Sequence, residues 1–439
     1  MKKLLQTALV SIILILIGNL ASAQNSDNHV VVVTIDGFRP NFYLEDKWSA
    51  PNLKAMKENG AHAYGVNSVF PSITYPSHTT IVTGVQPAKH GIFYNALFEK
   101  DAETKGQIYW HFDQITSPTL WEVTQNAVLK AASVNWPVSV GAPTVFNISD
   151  VGAKGQKVME DSTNPPGIST LIKEKLLDNA PSIKIGIDKN VANIAAWVIK
   201  TEKPNFMTVH LLGMDHEQHL HGRNGPEVEQ AIIRADSAIG IIRKALGEAG
   251  IAENTLLIVT GDHGFYDVTT SVRPNVWLKE WGLMEDENNW KARFHTAGGG
   301  AFMFLKDKND KATLNTVIRR LKALPDADKK YFQIVDRKKL ASIGADPNVV
   351  LALTGINGAS FNARTSAPAI DKGKGGTHGY FPDTRNIQTG FLAEGKGVRK
   401  KTTIQEMNLR DISAIVAEFL GVRMPTSEGK IPRELFKHD

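Results

Sequence analysis

The chain has 439 residues, of which 42% are hydrophobic and 22% charged, with a formal net charge of +5 at pH 7 and no cysteine. That balance excludes a disordered or fibrous protein and leaves room for one large α/β domain with an insertion, or for two domains. The lack of cysteine excludes a disulfide-stapled domain, a lipidated cysteine, a cysteine nucleophile and any cysteine-ligated zinc.

Met1-Lys2-Lys3, the apolar run from Ala8 to Ile17 and the small residues Ala21-Ser22-Ala23 predict a secretory signal over residues 1–23, cleaved before Gln24. The run is short for a bilayer span, so no stable membrane span is expected after cleavage. Loss of Lys2 and Lys3 lowers the formal charge from +5 to +3. The only dense basic run, Lys396 to Lys401, has no interleaved aromatics, and no nucleic-acid polymer is expected as a partner. A cysteine-free exported chain suits a bacterial periplasmic or secreted enzyme.

His29 to Ile35 is an almost unbroken β-branched run, as expected of a strand covered on both faces, and Asp36-Gly37 follows it. Phe206 to Leu212 and Thr255 to Thr260 repeat the pattern, each an apolar strand leading to Asp and His. Glu227 to Ala249 and Leu409 to Leu420 have helical spacing, the second stopped by Gly421. Alternating strands and helices predict an α/β fold with a mainly parallel central sheet flanked by helices, its ligands gathered at one edge. Residues 24–266 and 377–439 form the expected core. The stretch 267–376, with a strand at Ala301 to Leu305 and a helix at Ala312 to Leu324, reads as a smaller α+β insertion.

Asp215 and His219 are four apart, on one face of a helical turn, and His378 on a glycine-rich turn is the best third ligand. Asp262 and His263, between Gly261 and Gly264, make a second group of three with Asp36. Two metal ions about 4 Å apart can hold both the attacking and the leaving oxygen in a displacement at phosphorus. Thr74, ahead of a short predicted helix from Tyr75 to Thr83, is the candidate nucleophile and would be activated by the first metal. Helix-end amides and Asn95 are the candidate holders of phosphate oxygens. His216 and His221 read as supporting or surface groups, while His62, His90 and His295 read as structural; His90-Gly91 also suits a turn shaping the loop to Asn95.

These residues resemble, in order and across nearly the whole mature chain, the nucleotide pyrophosphatase/phosphodiesterase branch of the alkaline phosphatase superfamily. The matching fragments are Asp36-Gly37, Phe70-Pro71-Ser72 with Thr74 and Pro76, Thr83-Gly84, His90-Gly91-Ile92 with Asn95, Asp215 with His219, Asp262-His263-Gly264 and His378-Gly379-Tyr380. The resemblance implies an alkaline-phosphatase-like fold and two zinc ions per chain. One is held by Asp36, Asp262 and His263 and touches Thr74; the other is held by Asp215, His219 and His378. It also implies a covalent phosphothreonine-type step, charge stabilisation by Asn95, and a small phosphodiester or nucleotide as substrate. One position departs: where nucleotide-hydrolysing members carry a base-stacking aromatic, five residues before Asp215, this chain has His210. His210 and Tyr75 are the candidate base-binding residues. A phosphomonoesterase or phosphonoacetate-hydrolase-like enzyme is the nearest competing reading, and a non-catalytic binding protein the most distant. Oligomeric state is not legible in the sequence.

Overall fold

The computed structural model describes residues 27–98, 106–152, 155–366 and 368–437, so the predicted signal lies outside the described residues. In chain order its principal elements begin with β1 (His29–Ile35), β2 (Ala61–Ala63), α1 (Thr74–Thr83), β3 (Ala131–Pro137) and β4 (Phe146–Asp150). They continue with α2 (Asp188–Glu202), β5 (Phe206–Leu211), α3 (Gly213–His221), α4 (Pro226–Glu248) and β6 (Thr255–Thr260). Then come β7 (Ala292–Ala297), β8 (Gly300–Leu305), α5 (Lys311–Lys322), β9 (Phe332–Asp336), β10 (Leu351–Gly355), β11 (Phe391–Gly395), β12 (Thr402–Ile404) and α6 (Asp411–Leu420).

The central sheet has eight strands in the order β12-β2-β11-β6-β1-β5-β3-β4. It is mainly parallel; only β11 runs antiparallel to its two neighbours. Every residue of β1 is buried, because helices cover both faces of the sheet. Side chains alternate across a strand. Val31, Val33 and Ile35 therefore pack with residues of α2 and α4, such as Ile199 and Ile239, while Val30 and Val32 pack with Ile81 of α1 and Ile415 of α6.

Register places the site. Ile35 pairs with Leu211 and Thr34 with Thr260, so β1, β5 and β6 end level and release Asp36, the start of α3 and Gly261-Asp262 at one edge. Crevices at that edge are where open α/β sheets bind ligands. Between β6 and β11 the chain builds an antiparallel sheet, β7-β8-β10-β9, with a hydrophobic cluster that includes Trp277, Phe302 and Leu353 and reaches Phe70 and Ile73. Pairing of Tyr266-Asp267 with Gly376-Thr377 brings the two ends of this stretch together, next in sequence to Asp262-His263 and His378.

Candidate metal centre

Asp36, Asp262 and His263 offer ligand atoms that lie within 4.8 Å of one another, and Asp215, His219 and His378 do the same. His263 Nε2 is 3.1 Å from Asp262 Oδ2 and 3.3 Å from Asp36 Oδ1. In the second group His219 Nε2 is 3.4 Å from Asp215 Oδ2, and His378 Nε2 is 3.5 Å from Asp215 Oδ1. The imidazoles of His263 and His378 stack with centroids 3.6 Å apart and planes at 9°, which joins the groups.

All three histidines face a backbone carbonyl through Nδ1: His219 that of Gly376 at 3.0 Å, His378 that of Ser72 at 3.1 Å and His263 that of Gly264 at 3.1 Å. A carbonyl can only accept, so Nδ1 carries the proton and each Nε2 presents a lone pair, the arrangement usual for metal-ligating histidine. The Nε2 atoms of His219 and His378 are 3.1 Å apart. Two lone pairs at that distance repel unless a cation lies between them. Asp36 Oδ1, Asp262 Oδ2, Asp215 Oδ1 and His263 Nε2 are likewise buried without a hydrogen-bond partner, so the donor set fits metal ions and little else.

Electrostatics agree with that reading. Burial, reinforced by Asp262 and then Asp215, pushes the Asp36 carboxyl well above the usual range, and burial also raises Asp215. For Asp262 burial is again the largest influence and acts upward, but the positive charge of His263 when protonated, with that of His78 and His210, pulls the carboxyl below its ordinary value, the part a metal cation plays when these imidazoles are neutral. Carboxylates crowded out of water beside one another need positive charge.

Thr74 is the first residue of α1, slightly earlier than the predicted start, and Gly84 ends the helix in a left-handed conformation with φ of 70°. The peptide before it is latched to both groups. Ser72 O accepts from His378 Nδ1, Ser72 Oγ accepts from Gly379 N at 3.1 Å, and Ser68 Oγ donates to Asp262 O at 2.6 Å. Asn95 Oδ1 accepts from Tyr75 N at 3.0 Å. That contact takes one of the helix-end amides expected to hold phosphate, and it leaves the two N–H donors of Asn95 for an anion. The His90-Gly91 turn has the expected loop-shaping form: Ile92 N donates to His90 Nδ1 at 3.1 Å, and Gly91 has φ of 83°.

His210 does not sit where a base could stack. It is 0% exposed, with Nδ1 3.2 Å from Asn135 O and Nε2 3.2 Å from Asp36 Oδ2. The reason is strand parity: Phe206, Thr208 and His210 point to one face of β5, and His210 pairs with Thr34 on that face, beneath α1. The expectation of base contact is corrected to support of a metal-ligand candidate. Tyr75 is only 7% exposed, its ring set among Ile92, Val138, Tyr109 and Trp110, so little of it is left for a base. His216 and His221 lie at the surface.

Three supporting residues escaped the sequence reading. His78 links Thr74 O, at 2.8 Å from its Nδ1, to Thr34 Oγ1, at 2.8 Å from its Nε2, and lies 3.7 Å from Asp262. Gln218 Nε2 donates to Gly37 O at 2.9 Å, tying α3 to the loop after β1. Ser72 belongs to the Phe70-Pro71-Ser72 fragment, which by itself assigns it no role. The one available signal was His78 standing four residues after Thr74, on the same helical face.

Residues 30–366 match the family model described as type I phosphodiesterase / nucleotide pyrophosphatase. The chain belongs to this family. As a family member it is 23% identical over 421 residues to mouse ectonucleotide pyrophosphatase/phosphodiesterase family member 3, covering 91% of this chain and 43% of that protein. It is 24% identical over 424 residues to a venom phosphodiesterase of Macrovipera lebetinus, covering 91% of this chain and 44% of the other. The chain thus spans less than half the length of these relatives. Among solved structures, murine ectonucleotide pyrophosphatase / phosphodiesterase 5 superimposes with a TM-score of 0.68 at 21% identity, covering 92% of this chain and 97% of that one. The same murine protein has been solved in an inactive form in complex with AMP. The fold is accordingly α/β and alkaline-phosphatase-like.

Proposed function

We propose that this family member is an exported two-zinc hydrolase that cleaves phosphodiester or pyrophosphate bonds of nucleotides or related small diesters, with Thr74 as nucleophile. The observation that carries the reading is the latched geometry: two three-ligand groups share the His263–His378 stack, and the peptide bearing Thr74 is fixed to both.

Bound at Asp36, Asp262 and His263 and at Asp215, His219 and His378, two zinc ions would supply Lewis acidity at the phosphoryl oxygens. The residues supply the rest. Thr74 is the first residue of α1, where the helix dipole favours the alkoxide over the alcohol. Thr74 Oγ attacks phosphorus as the leaving oxygen departs, giving a phosphothreonine that water then cleaves to restore the hydroxyl. Asn95, its oxygen engaged by Tyr75 N, aims N–H donors at the charge that builds on the nonbridging oxygens. His78 holds the Thr74 carbonyl and so fixes the nucleophile's turn.

Export is proposed from the N-terminal signal predicted over residues 1–23. N-terminal sequencing of the released protein should begin at Gln24. The division into a core of 24–266 and 377–439 with an insertion at 267–376 is supported by the pairing that joins the ends of that stretch.

The deciding experiment is Thr74→Ala. Turnover of bis-p-nitrophenyl phosphate should fall by about a thousandfold or more while metal content stays near two ions per chain. Undiminished turnover removes Thr74 from its role. Comparing mono-p-nitrophenyl phosphate, the diester, ATP and phosphonoacetate assigns the substrate class, with the diester or ATP preferred.

A further inference from the structure

The loop that carries Asp36 continues into Arg39, which lines a polar cavity of about 300 Å³ distinct from the metal-ligand groups. Arg39, Lys47, Arg223 and Arg385 line it against a single carboxylate, that of Glu45. Lys47 already pairs with Glu45 at 3.0 Å. Among the described residues, none of the three guanidinium groups has a carboxylate oxygen within 4.0 Å.

Arg39 is the unusual member. Its side chain is 2% exposed, it donates to the Arg223 carbonyl at 2.5 Å, and its Nε is buried without a partner. Arg223 Nε is buried and unpartnered as well. The Phe42 and Trp48 rings stand 4.5 Å and 5.5 Å from the Arg39 guanidinium carbon. Cation–π contacts of this kind return less than the desolvation of an uncompensated guanidinium costs. Burial, and then the neighbouring charge of Arg223, lowers Arg39 to about 9 against a weaker upward pull from Asp267 and Glu45. Glu45 is already engaged by Lys47 and Asp267 accepts from the Arg223 backbone N–H, so neither carboxylate pairs directly with the two guanidinium groups, which match phosphate and sulfate in shape and charge.

We propose that this cavity binds a small dianionic oxyanion, inorganic phosphate or sulfate, between Arg39, Arg223 and Arg385. The anion would span three distant segments. One follows Asp36, another follows the helix that bears Asp215 and His219, and the third contains Asn386, whose carbonyl accepts from Phe265 N two residues beyond His263. Such an anion clamps the metal-bearing loops from outside without touching a ligand candidate. The inference does not depend on the catalytic reading, because no residue of the cavity belongs to either ligand group.

The test uses the full chain carrying its metals, titrated calorimetrically with phosphate and then with sulfate, beside an Arg223→Ser/Arg385→Ser double variant. Wild type should bind one phosphate per chain more than the variant, and the rise in Tm that phosphate gives wild type should be largely lost. Identical stoichiometry and an identical Tm rise in the two proteins overturn the proposal. Should the double variant fail to fold, Arg385→Ser alone, at an exposed position, should weaken the phosphate site about tenfold. Unchanged affinity there also overturns it.

Discussion

The two ligand groups are built alike and placed differently. Asp36, Asp262 and His263 are all buried, whereas in the other group only His378 is buried, Asp215 is half-buried and His219 is exposed. The buried group rests on the strand ends of β1 and β6, with His210 and His78 packed behind it. The open group is carried by a single-turn spacing on α3 and by a loop, and it faces solvent. On the mechanism proposed above, this contrast sets rigidity where the nucleophile would be activated and access where the leaving group would depart.

The contrast can be broken most sharply by deleting one histidine from each group. His263→Ala removes a buried partner of two carboxylates and should lower unfolding stability by about 3 kcal/mol. His219→Ala, at the surface, should cost under about 1 kcal/mol while still emptying its group of metal. Denaturant melts with metal analysis decide this, and equal losses would mean the groups are not differently supported. His210→Ala comes next: it touches Asp36 and no substrate, so metal affinity of the buried group should fall by about tenfold to a hundredfold with substrate KM little changed. A large rise in KM with metal content intact would return His210 to base binding.

Chelation sharpens the comparison in time. A metal-content time course should show two phases, the ion at Asp215, His219 and His378 leaving first, and a single phase would contradict the difference in exposure. Acid sensitivity away from both groups comes last. Burial lowers His90 from its ordinary 6.5 to about 3. Below pH 6.5 the unfolded chain therefore takes up a proton that the folded chain refuses, so stability is lost as pH falls through that window and is kept above it. His90→Gln should flatten the fall in Tm between about pH 6.5 and pH 4 relative to wild type.

Much of the centre was legible because its ligand candidates cluster in short fragments directly after β-branched strands or on one helical turn. Asp36 after His29–Ile35 and Asp262-His263 after Thr255–Thr260 are of that kind. His210 was misread because counting back from Asp215 gives a position but not a face; strand period was the missing step, and it turns His210 toward Thr34. Gln218, Ser72 and the Asn95–Tyr75 contact were harder. Their partners lie on other elements, and hydrogen bonds between distant segments leave no periodic trace. The basic cavity joins residues 39, 223 and 385, which no local pattern connects.

The stacked imidazoles of His263 and His378 carry a thermodynamic consequence. An ion taken up by one group fixes the plane of its ring, and that plane is the wall against which the other group's ring must settle. The second ion then meets a ligand already ordered, so its affinity is raised by the first, and the reverse holds by the same factor. Metal loss should therefore be coupled: once the open group has released its ion, the buried group should hold its own less tightly than it does in the doubly loaded chain.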